Sequence, residues 1–194
     1  MAADPSTVAV AKAAQQIALQ MLEERGRGAV LVGVARVDTA LEHLLLAVMT
    51  PVTAKGDALF LPERPLGSIG AKVALARRLG LIDPAVERAV NVLRKLRNDF
   101  AHSAQSASLV DAPHCSRLAE VYADARSNPL WAPLETVLSA QPPSAHGPLE
   151  PALRDYILLI TILVTCLEAI AQQLTPFQPP IVMRFSRNNS DKAP

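Results

Sequence analysis

Apolar residues along this chain recur at helical spacing, and the two-residue alternation of half-buried strands is absent. The clearest stretch is 84–102. At about 100° per residue one face gathers Val86, Ala89, Val90, Leu93, Leu96 and Phe100, while Arg88, Lys95 and Asp99 fall outside it. Prolines mark where such helices can run, because proline breaks helix interiors. None lies between Pro5 and Pro51, Pro65 and Pro84, Pro84 and Pro113, or Pro151 and Pro176, and alanine and leucine dominate those gaps. The pattern predicts helices at 6–24, 28–50, 67–80, 84–102, 113–126 and 150–174. The expected fold class is all-α, a single-domain bundle of about six helices. Ser68 is a candidate cap for the third helix, and Gly80 ends it. Asp83 followed by Pro84 reads as the N-cap and first residue of the fourth.

The same pattern divides the chain into an N-terminal helix (1–26), a helical core (27–126), a proline-rich loop (127–149), a long apolar core or interface helix (150–174) and a flexible tail (175–194). Leu59, Phe60 and Leu61 are expected to tuck onto the core from the loop 51–65. The most apolar run, Tyr156 to Leu167, is shorter than the roughly 20 residues a membrane span needs. No basic region precedes an apolar run at the N-terminus, so no signal peptide and a cytoplasmic location are expected.

Composition changes this picture little. The chain has 194 residues, half of them hydrophobic, and a formal net charge of +1, which excludes a surface that is basic throughout. The distribution of charge says more. Residues 70–102 carry seven lysines and arginines against three acids, and 103–150 carry two against five. Cys115 and Cys166 stand far apart and outline neither a disulfide framework nor a zinc site. His43 has no second ligand at metal spacing, and His114, Cys115 and His146 are placed in or near loops, so no metal and no cofactor are expected.

Candidate chemistry concentrates on the fourth helix. Arg97 falls inside its apolar arc, and an unpaired guanidinium is costly to bury. On the second helix Asp38 and Glu42, spaced i and i+4, share a face with Leu31, Leu45 and Met49, while Arg36, Thr39 and His43 form a polar stripe. A structural network of Asp38, Glu42 and Arg97 is the economical expectation. Arg94, Asn98 and His102 make a neighbouring polar ridge. An arginine beside a histidine suits phosphodiester cleavage, the imidazole moving protons and the guanidinium meeting charge on phosphate. Arg77, Arg78, Arg94 and Lys95 form a candidate basic patch for a partner. Gly67, Gly70 and Lys72 do not follow the phosphate-loop pattern, and a turn into a helix accounts for the glycines.

Three segments, RGAVLVGVARVDTALEHLLLAVM (27–49), LFLPERPLGSIGAKVALARRLGLID (59–83) and VLRKLRNDFAHS (92–103), resemble in order and spacing the mannitol operon repressor family of bacterial proteins. That resemblance implies an all-α, often self-associating transcriptional regulator. No basic recognition helix follows a short glycine turn, so regulation through a protein partner is expected and direct DNA binding without one is not. The run RNDFAH also resembles the HEPN superfamily. Carried over by position, Arg97, Asn98 and His102 match the motif of its RNase members, which implies the alternative of a metal-independent endoribonuclease or toxin acting on RNA. Non-catalytic HEPN-like relatives keep the same residues as a structural feature. A third reading is an interaction module whose Asp38, Glu42 and Arg97 serve structure alone.

Overall fold

Seven α-helices and no β-strand form among the residues that the computed structural model describes, 5–24, 26–52, 56–102, 107–142 and 147–178. They are α1 (Pro5–Met21), α2 (Gly26–Val48), α3 (Ile69–Arg78), α4 (Pro84–His102), α5 (Ala112–Ala125), α6 (Trp131–Ser139) and α7 (Pro151–Ala171). A short 3-10 turn, Ala58–Phe60, lies between α2 and α3. The all-α class expected from the apolar spacing is the one observed.

Local chemistry fixes the ends of α3 and α4. Ser68 Oγ accepts the Ala71 amide at 3.2 Å, satisfying one of the open amides at the start of α3. At the other end Gly80 has φ +72°, the Leu81 amide donates to Ala76 O at 3.0 Å and the Gly80 amide to Arg77 O at 3.1 Å. This is a Schellman closure, and glycine takes the left-handed position without a Cβ penalty. Two residues later Asp83 Oδ1 accepts the Val86 amide at 2.8 Å and starts α4. The turn between α3 and α4 is thus held at both sides by its own sequence.

α7 is the axis of the bundle, with α1, α2, α5 and α6 packed on it. Every residue from Tyr156 to Thr165 is buried, so the middle of this helix is covered on all sides. Its closest neighbour is α2, and Gly33 makes that approach feasible. A Cβ there would stand 2.8 Å from the Tyr156 hydroxyl and 3.0 Å from Ile160 Cγ1. Tyr156 in turn donates from its hydroxyl to Val30 O at 3.0 Å. On its other side α2 carries α3 and α4, and α4 carries α5. The buried face of α4 is Ala89, Val90, Leu93, Leu96 and Phe100.

Several expectations are corrected. Residues 127–149 are not a continuous loop, because α6 forms within them and buries Trp131, Leu134 and Leu138. Pro133 is tolerated in its first turn, where amides lack intrahelical partners in any case. His114 and Cys115 lie in the first turn of α5, beside the loop that precedes it and within the helix expected over 113–126. Leu59 and Leu61 remain 38% and 55% exposed; Phe60 packs partly on the core and Leu66 is buried. The start of the expected tail is pinned, since the Phe177 amide donates to Val48 O at 2.7 Å. Residues 179–194 of that tail, and His146, lie outside the described residues. No described helix is long and apolar enough to cross a membrane.

Candidate functional site

α3 crosses beside α2 and α4, and the three enclose a cleft of about 520 Å³. Leu31, Val34, Ala35 and Asp38 of α2 form one wall. Arg94, Arg97 and Asn98 of α4 form the opposite wall, and Gly67 to Gly70, leading into α3, form the end. Gly67 is required in that turn, because a Cβ there would run into the carbonyl oxygens of Leu61 and Pro62. The cleft therefore collects residues from all three segments that carried the family resemblance.

The cation between Asp38 and Glu42 is Lys72, not Arg97. Lys72 Nζ lies 2.8 Å from Glu42 Oε2 and 3.0 Å from Asp38 Oδ1. The ion pair with Asp38 is close, although Asp38 Oδ1 accepts no hydrogen bond of good angle. The Lys72 side chain is 4% exposed and also passes 5.7 Å from the centre of the Phe60 ring. Its place on α3, between Ile69 and Val73 and one turn before Ala76, turns its stem inward while its length carries the ammonium to α2. Arg97 is exposed, and its Nη1 donates to Asn98 Oδ1 at 3.3 Å. The expected Asp38–Glu42–Arg97 network is thus replaced by one that clasps α3 to α2. A lysine on the apolar arc of α3 was the signal available in the sequence.

The four residues of the expected basic patch are not brought together. Arg77, near the end of α3, has its Nε 3.5 Å from Glu87 Oε2, and Arg78 is exposed. Arg94 lines the cleft, whereas Lys95 lines a separate groove with Glu87, Arg88, Asn91 and Glu120, towards α5. One residue of helical advance, about 100°, is enough to send Arg94 and Lys95 to different sides of α4.

Arg97, Asn98 and His102 are all exposed on α4. Arg97 and Asn98 line the cleft; His102 is the last residue of α4 and is not part of the cleft lining. The carbonyl just before it, Ala101 O, accepts from Arg27 Nη2 at 2.7 Å, which ties the end of α4 to the start of α2. Asp99, between Asn98 and Phe100, points elsewhere: its Oδ2 is 2.7 Å from Arg117 Nη1 and 3.5 Å from His114 Nε2. His114 is buried against the Phe100 ring and donates from Nδ1 to Ser108 O at 2.8 Å, so it serves the α4–α5 contact. His43 sits 2.7 Å from Glu168 Oε1, bridging α2 and α7 at the surface.

No protein-family model and no curated protein sequence matches the chain. Among solved structures, a chain of the X-ray structure of the MtlR–HPr complex from Escherichia coli is similar, with a TM-score of 0.54 and 18% identity. The match covers 80% of this chain and 98% of that one. At that identity the likeness is one of fold, and it extends past the segments 27–103 to most of the bundle.

Proposed function

We propose that this chain is a non-enzymatic regulatory protein of the mannitol operon repressor kind, acting by binding a protein partner. The observation that carries the reading is the fold shared over four-fifths of the chain with a chain from a complex of two proteins. It is supported by the three sequence segments that resemble the repressor family, two of which meet at Lys72 and all three of which line the α2–α3–α4 cleft. Isothermal titration with HPr, the partner in the matched complex, and with the HPr counterpart from the chain's own genome tests it. Saturable binding to at least one is expected. Absence of binding to both by a folded protein contradicts the reading.

A second reading, a HEPN-type endoribonuclease, is favoured by the exposure of Arg97, Asn98 and His102 on one helix. In it Arg97 would stabilise charge on the phosphorane, Asn98 would position it and His102 would move the proton. Incubation of varied RNAs with wild type and His102→Ala separates the two. Cleavage lost in the variant, at unchanged melting temperature, would replace the regulator by the nuclease.

A further inference from the structure

We propose that the α2–α3–α4 cleft is a binding site for the phosphate group of a small organic phosphate monoester. Arg94 and Arg97 both line it, and among the described residues neither forms a salt bridge. Arg94 Nε is buried and has no hydrogen-bond partner. Leaving a buried charged donor unpaired is costly, and a bound anion would remove that cost.

The position of Arg94 sharpens the argument. A Cβ on Gly70 would lie 3.7 Å from Arg94 Cδ and 3.8 Å from its Nε, so the guanidinium arm passes directly over the first turn of α3. That turn is the positive end of the helix dipole, and Ser68 Oγ satisfies only the Ala71 amide. Two guanidinium groups beside a helix start repel each other and the dipole unless a negative group lies between them. The carboxylate in the cleft, Asp38, already faces the Lys72 ammonium at 3.0 Å. Arginine forks and helix-start amides together match the several acceptor oxygens of a phosphate. Asn98 adds an amide on the same wall, and Leu31, Val34 and Ala35 offer an apolar surface to the organic part. A volume of about 520 Å³ suits a small molecule.

The site is independent of partner binding: a chain that binds no protein can still take phosphate here, and the reverse holds. The test is an NMR titration of the full ¹⁵N-labelled chain with glycerol 3-phosphate, inorganic phosphate and, at matched ionic strength, sodium chloride. Saturable shifts of the Ile69 and Gly70 amides and of Arg94 Nε are expected with the two phosphates and not with chloride, with the monoester tighter. Arg94→Gln and Arg97→Gln should each weaken binding about tenfold or more, the effect of losing one charge-assisted contact. No saturable shift by about 20 mM phosphate, or equal shifts with chloride, would overturn the site whatever the variants do. Equal affinity for inorganic phosphate and monoester would overturn the monoester assignment.

Discussion

Replacing Lys72 by methionine removes one charge and keeps most of the stem, so it isolates the contact between α3 and α2. The ammonium is within 3.0 Å of two carboxylates, and its side chain is 4% exposed. Asp38 and Glu42, however, are each about one-third exposed and can be rehydrated. Breaking a fully buried pair costs about 3–5 kcal/mol, whereas an exposed pair contributes about 0–1 kcal/mol. With one partner buried and two partly solvated, Lys72→Met should cost about 2 kcal/mol, between those limits. For a domain of this size that is a fall in Tm of roughly 4–8 °C. Arg97→Ala, on an exposed side chain bonded only to its neighbour, should stay within about 0.5 kcal/mol of wild type. Urea and thermal unfolding measure both, and a double-mutant cycle with Glu42→Gln should give a coupling of about 1 kcal/mol for Lys72 and near zero for Arg97. A Lys72→Met protein as stable as wild type, or an Arg97→Ala protein that loses several kcal/mol, would refute the assignment of the cation.

Other outcomes follow from the packing. Gly33→Ala should destabilise by about 1–2 kcal/mol, because overpacking against Tyr156 and Ile160 outweighs the gain in helix propensity. Tyr156→Phe in the same chain should recover part of that loss, read by urea unfolding. Trp131 of α6 is buried edge-on to Tyr122 with the Arg126 guanidinium 5.6 Å from its ring centre, so Trp131→Ala should cost about 3–5 kcal/mol; a loss under 1 kcal/mol would show that α6 is not part of the core. Burial pushes the Cys166 thiol up from its ordinary pKa, and its contact with the Asn128 amide opposes this only in part. The thiolate is the reactive form, so iodoacetamide near pH 8 should label exposed Cys115 well before Cys166, with the Cys166 rate rising at higher pH. Mass spectrometry of the alkylated peptides checks the order.

How legible the molecule was in its sequence depended on the range of the interactions involved. The α3–α4 turn was readable because Ser68, Gly80 and Asp83 act on amides and carbonyls within a few residues. α6 is hidden in the sequence because proline usually breaks helices, although Pro133 sits where a helix tolerates it and Trp131, Leu134 and Leu138 share a face. For the site, Arg94, Arg97 and Asn98 fall on one side of α4 by spacing alone, and the cleft keeps them together. The cation for Asp38 and Glu42 was not readable in the same way. Arg97 and Lys72 both lie on apolar arcs, and only the arrangement of α3 against α2 decides which reaches the carboxylates. Lys95 and Arg77 looked like neighbours of Arg94 in a basic segment, but helix rotation and the Glu87 contact separate them.

The most direct test of the central claim is a calorimetric titration of HPr, from Escherichia coli and from the chain's own genome, into wild type and His102→Ala, with the same samples assayed for RNA cleavage. Partner binding predicts saturable heat of equal affinity in both proteins and intact RNA in both. No heat from either partner, together with RNA cut by wild type and spared by His102→Ala, would contradict it.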